Sequence, residues 1–333
     1  MLQPARHLAL VSVCVLGLSV ASCGGDDSDS PSSGNSRDSA FERSVRAAQD
    51  VSASDFPSPG RQTLRELGST VGAVQVGLAS SEFTSGENRL AFGVIARDNR
   101  FIYGKSAVYV APTPDEVPEG PFPAPADPLV IEPPFRSRNA AAEGDTIAAI
   151  YAAKLDLRPG RYAVLVVTKT SQGLVGGSAY IRVKRSSPIP AVGDRPPSVE
   201  TETIASAGGN VEAIDTRVPP DDMHEENFAD VLGKKPVVLL FATPALCQTR
   251  VCGPVTDIAA QLQKEYGDRA TFIHQEVYED NKVQNGLREP LRQFNLRTEP
   301  WLFTFNAQGE VAARLEGSFG TEAFRQAVEA ALD

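Results

Sequence analysis

PVVLLFATPALCQTRVCGPV, running from Pro236 to Val255, is the stretch whose reading decides the fold. Val237 to Phe241 is an unbroken apolar run of strand length, the pattern of a strand buried on both faces. A short polar turn ends it. Cys247 and Cys252 follow, and then Gly253-Pro254 opens a helix. Proline suits a first helical turn, because the N–H it lacks has no partner there anyway. A helix start favours a reactive thiol, since unpaired backbone N–H groups and the helix dipole both stabilise a thiolate.

Downstream, Pro254–Tyr266 keeps Val255, Ile258, Ala259 and Leu262 at helical spacing, and Gly267-Asp268 ends it. A strand is expected over Ala270–Val277, a short helix near Pro290–Phe294, and strands over Trp301–Asn306 and Glu310–Leu315 about a Gln308-Gly309 turn. Thr321 is expected to cap a last helix carrying Phe324, Val328 and Leu332 on one side. The order is β-α-β-α-β-β-α.

Upstream, the proline-rich segment Ser186–Ser198 marks a domain boundary. From about Val71 to Lys184 short alternating runs sit between turn residues. The expected strands are Ala73–Leu78, Arg89–Ala96, Ala107–Ala111, Leu129–Ile131, Ile147–Leu157, Tyr162–Thr168 and Ser178–Val183. Such spacing predicts an antiparallel β-sandwich. Pro112 to Pro134 reads as a long loop carrying one edge strand. Leu157 to Tyr162 resembles the corner of immunoglobulin-like domains, in which a tyrosine hydroxyl bonds back to the chain. Gly24 to Ala40 is rich in Ser, Asp and Gly and cannot bury enough surface to fold.

The amino terminus reads as a targeting segment. Arg6 and His7 precede an apolar run, Leu8–Val20, too short for a comfortable membrane span. Val20-Ala21-Ser22-Cys23 resembles the bacterial lipobox, which implies lipidation of Cys23 and anchoring at the outer face of the cytoplasmic membrane in the cell envelope. Several acyl chains, at about 0.8 kcal/mol per buried CH₂, make such an anchor effectively permanent. Of the 4 cysteines, Cys14 then lies in the removed peptide and Cys23 is blocked. Cys247 and Cys252 remain, in a compartment that permits disulfides. The net charge of −10 argues against nucleic-acid binding. The expected organisation is a signal peptide over 1–22, a flexible tether over 23–66, an immunoglobulin-like antiparallel sandwich over 67–187 and an α/β domain over 192–333.

That last region resembles the thioredoxin-like superfamily. Val192 to Pro197 is similar to the opening segment of redoxin and thiol-specific-antioxidant proteins, and Gly233 to Ala242 to their first core strand. Thr298 to Phe303, with Gln308 to Val311, is similar to the cis-proline strand and hairpin of thioredoxins. The resemblance implies that Cys247 and Cys252 are catalytic. It places Glu299 and a cis Pro300 against the substrate, and Arg250 near the cysteines could tune a thiolate. The sequence departs from Cys-x-x-Cys: four residues separate the cysteines. In one continuous helix their Cα atoms would lie about 8–9 Å apart, beyond the roughly 7 Å a disulfide spans. Either Cys247 precedes the helix, or a turn must unwind on oxidation.

Thiol–disulfide exchange on exported protein thiols or disulfides is therefore the leading reading. Two others stand beside it: a binding module whose cysteines form a structural disulfide, and a thiol peroxidase of the peroxiredoxin type. Against the last, Leu240 and Pro244 occupy the positions where peroxiredoxins carry Pro and Thr. Copper chaperones of the Sco type need a histidine near the late-strand loop, and Arg297-Thr298-Glu299-Pro300 has none. His274 reads as a packed or surface strand residue. No metal set and no organic cofactor is expected. The residues leave open which cysteine attacks.

Overall fold

Alternating apolar residues build the first half of the molecule. The computed structural model describes residues 42–138, 147–247 and 251–333. One sheet is ordered Gly72–Ala73 (β1), Gly173–Lys184 (β10), Gly160–Thr170 (β9), Lys105–Ala111 (β5) and Glu119–Ala124 (β6), with Phe83–Thr84 (β3) also on β10. A second is ordered Gln75–Leu78 (β2), Gly86–Ile95 (β4), Ala149–Leu157 (β8) and Ala126–Pro128 (β7). Leu90, Phe92 and Val94 of β4 meet Val108, Val110, Val164 and Val166 of β5 and β9 in one core, so the two sheets form a β-sandwich.

Several expectations change here. The sandwich is not wholly antiparallel: β1 and β3 both pair with β10 in parallel. Segment 42–66 is not all tether. Val45 and Ala48, on a helix over 42–49, pack into the sandwich core, and Phe56 and Leu64 cover the outer face of β5 and β9. The strand expected at Leu129–Ile131 lies instead at Ala126–Pro128. Leu129 and Ile131 are apolar because they pack against the core of the second half. The proline-rich loop does carry an edge strand, β6. The Tyr162 hydroxyl donates back to Arg158 O at 3.1 Å.

The second half is one four-stranded sheet. Val237–Phe241 (β11) lies between Thr271–Gln275 (β12), its parallel neighbour, and Trp301–Phe305 (β13), which is antiparallel and pairs with Val311–Glu316 (β14). Every residue of β11 is buried. Val238 and Leu240 face a core made with helices Cys252–Tyr266 and Thr321–Leu332. Val237, Leu239 and Phe241 face an aromatic layer of Phe228, Phe294, Trp301, Phe303 and Phe305. Burial on both faces explains the unbroken apolar run.

The halves meet along a polar seam. Asp127, on β7, accepts from the N–H groups of Gly320, Glu322 and Ala323 at 2.8–3.2 Å, and so caps the last helix from outside the domain. Thr321 is not the cap: its hydroxyl donates to Val130 O, and Gly320 holds the cap position. Glu316 accepts from Ser81 N and Glu82 N. Gly317 (φ +71°) is required here, because a Cβ would stand 1.6 Å from Ala79 O.

Candidate active site

The site forms at the carboxyl ends of β11 and β12, where parallel strands deliver their loops. β11 leads through Ala242-Thr243-Pro244 into a turn, and half-buried Cys247 follows it. The helix begins only at Cys252, with Val251 as its N-cap. Cys247 therefore precedes the helix, so the two cysteines are not held at the spacing of one continuous helix.

No disulfide joins the two cysteines, and the Cys252 thiol hydrogen-bonds the Cys247 sulfur. Cys252 is fully buried. Burial pushes its thiol well above the ordinary value, and the contact with Cys247 and the nearby Glu299 carboxylate raise it further. The Thr243 N–H points at Cys252 and opposes the rise. Glu299 is half-buried, and its own pKa is raised, first by burial and then by repulsion from Cys247. The Tyr278 hydroxyl lies 3.4 Å from Glu299 Oε1. Burial, with the charge of Glu299, pushes that phenol up to about 12. The Glu299–Pro300 peptide is cis, and Pro300 is buried at the start of β13.

The structure thus brings Cys247, Cys252, Glu299 and Pro300 together. Arg250 and Cys23 lie outside the described residues. Sequence reading missed Tyr278 and Thr243. Both follow the carboxyl end of a parallel strand, which is the signal that could have marked them.

A strand–helix–strand unit with parallel β11 and β12, followed by an antiparallel β13–β14 hairpin, decides the architecture. By its strand order and pairing the C-terminal region has a thioredoxin-like fold. No family model and no curated protein matches the chain. Solved structures do resemble it. One, described as a thiol:disulfide interchange protein DsbE from Chlorobium tepidum, is 16% identical, with TM-score 0.31, and the match covers 43% of this chain and 99% of that one. Another, described as a thiol:disulfide interchange protein of the thioredoxin family from Chlorobium tepidum TLS, is 18% identical, with TM-score 0.28 and the same coverage.

Behind the thioredoxin-like site lies a second polar group. His274, on β12, is fully buried beside Asp221, Asp215 and His224. It is packed, as one of the two expected placements had it, but among charged partners that sequence spacing did not reveal. Among the described residues no helix is long and apolar enough to cross a membrane.

Proposed function

We propose that the chain is a lipid-anchored thiol–disulfide oxidoreductase that acts outside the cytoplasmic membrane on thiols or disulfides of exported proteins. The observation that carries this reading is the contact between half-buried Cys247 and buried Cys252, with Glu299 and Pro300 beside them. Exposure supports an assignment of roles. A substrate sulfur can reach Cys247, so its thiolate attacks the substrate disulfide, forms a mixed disulfide and expels one substrate thiolate. Cys252 then gives up its proton, attacks Cys247 Sγ and expels the second substrate thiolate. The substrate gains two electrons and the pair closes as a disulfide. Run backwards, the same steps oxidise a dithiol.

Burial of Cys252 keeps it protonated until the mixed disulfide forms, and the Thr243 N–H supports its thiolate at that moment. Glu299 is read as lining the substrate side, where its charge disfavours acidic substrates, and Arg250, which lies between the cysteines in sequence, is assigned to offset that charge on a thiolate. The anchor is lipid on Cys23. The sandwich is read as immunoglobulin-like, supported by the Tyr162–Arg158 corner, and it spaces the redox domain from the membrane.

The test is exchange with a disulfide peptide. Cys252→Ser should accumulate a mixed disulfide through Cys247, and Cys247→Ser should form none. A mixed disulfide through residue 252 in the Cys247→Ser variant would reverse the roles, and none in either variant would leave a non-catalytic module. Cys23→Ala should release the protein from membranes. If it stays with them after a high-salt wash, the anchor lies elsewhere.

A further inference from the structure

The group behind the redox site has the donors and spacing of a metal centre. Donor atoms of Asp215, Asp221, His224 and His274 all lie within 4.8 Å of one another, and all four residues are buried. Three come from one loop and the fourth from β12. The loop is fixed to the strand, because His274 N donates to Met223 O at 2.9 Å.

The orientation of each ligand is set by its other contacts. His274 Nε2 lies 3.2 Å from Ala242 O. A carbonyl can only accept, so Nε2 carries the proton. Nδ1 is thereby turned toward Asp221 Oδ2 at 2.9 Å and Asp215 Oδ1 at 3.8 Å. Metal-ligating histidines are held in this way, with the second ring nitrogen donating to a carbonyl or carboxylate. Backbone N–H groups hold the carboxylates: Arg217 N and Asp221 N donate to Asp215 at 2.7 Å, and Met223 N donates to Asp221 at 2.9 Å.

His224 supplies the independent observation. It is 1% exposed, and its Nε2 makes no hydrogen bond. It points into the group, 3.4 Å from Asp221 Oδ1 and 3.5 Å from Asp215 Oδ2. Buried polar atoms are rarely left so, since the desolvation is uncompensated.

Each carboxylate turns one oxygen to each histidine: Asp221 presents Oδ1 to His224 and Oδ2 to His274, and Asp215 presents Oδ2 to His224 and Oδ1 to His274. Zinc takes nitrogen and carboxylate oxygen at about 2.0–2.2 Å in tetrahedral sites, and the edge of such a tetrahedron is about 3.3–3.6 Å. With one donor atom from each residue the set lies within 4.8 Å, wider than that edge, so an ion at its centre draws the donors inward by up to about 1.5 Å. Two carboxylates also neutralise a dication, which a site closed to water requires.

We infer that Asp215, Asp221, His224 and His274 form a closed, structural N₂O₂ site for a divalent transition metal of the zinc class. The ion ties the 215–224 loop to β12. It braces Ala242, the residue before the Thr243 N–H that faces Cys252. The cysteines take no part in ligation.

The full-length protein, extracted in detergent, is expected to carry about one equivalent of zinc-class metal by elemental analysis. After stripping under denaturant and refolding with Co²⁺, it should show the strong visible bands of tetrahedral cobalt. The near-ultraviolet thiolate charge-transfer band should be absent. A Cys247→Ser/Cys252→Ser variant should keep both the metal and the visible bands. His224→Gln should lose the metal, and Asp215→Asn serves if that variant does not fold. Added Zn²⁺ should raise Tm by at least about 5 °C in the stripped wild type and not in the ligand variants. A folded wild type without metal, cobalt bands or Tm shift would overturn the inference and leave an ion-pair cluster. Loss of the metal in the cysteine variant would overturn it in favour of the thiols.

Discussion

Ala242 and Thr243, consecutive at the end of β11, each touch a buried polar cluster, and the clusters differ in access to water. On the Thr243 side, Cys252 is sealed, but Cys247 and Glu299 are half-buried. On the Ala242 side, Asp215, Asp221, His224 and His274 are all closed off. Chemistry on outside molecules needs a partly open cluster, where one partner can leave its neighbour for a substrate. A closed cluster can only hold its own parts together. One strand end thus carries a partly open cluster of thiols and a carboxylate beside a closed cluster of carboxylates and imidazoles.

The sharpest break of this comparison removes the exposed sulfur. Cys247→Ser should lower exchange by at least about 10³-fold, measured by turnover of a disulfide peptide, with the urea midpoint nearly unchanged. The opposite pattern is expected in the closed cluster. Asp221→Asn removes the buried carboxylate that faces His274 Nδ1 at 2.9 Å and should cost about 3–5 kcal/mol, read from denaturant unfolding. If Asp221→Asn proved as stable as wild type, the cluster would not be a closed electrostatic unit.

The two clusters were also unequally legible. The cysteines fall in one short run after an apolar strand, and local pattern is enough to find them. His274 and Asp221 are 53 residues apart and meet only through the fold. The run Asp215 to His224, with two acidic residues and a histidine as ligands, was the available signal. The same limit explains the misplaced helix cap. Thr321 is a good local candidate, but Asp127, 193 residues from Gly320, performs the task. Leu129 and Ile131 misled for the same reason, since a partner across the seam gives them their apolar character. The segments that read correctly, β11 and β13, are apolar because both their faces are covered. That property shows in the sequence without knowledge of the partner.

The seam gives a third, smaller effect. Asp127→Ala removes an acceptor shared by three backbone N–H groups and should cost about 2 kcal/mol. Exchange by the folded protein should stay within about twofold of wild type. A large fall in exchange would mean that the seam also shapes the redox site.

Smallest is the effect of Glu299. Its pKa is raised in the fold, so the folded protein binds this proton more tightly than the unfolded chain does. Stability from this group is present at acid pH and is lost as pH rises through the folded value. Glu299→Gln should therefore unfold at higher urea than wild type at about pH 7 and at an equal concentration below about pH 4. The variant should also react about three- to fivefold faster with an acidic disulfide peptide relative to a basic one. Equal changes on both peptides would remove Glu299 from the substrate side.

The reduction potential of the Cys247/Cys252 pair tests the central claim most directly. Equilibration of the full chain with glutathione or dithiothreitol buffers should give a value between about −120 and −270 mV, the range of exchange catalysts. A value below about −300 mV is that of a structural disulfide and would contradict the account.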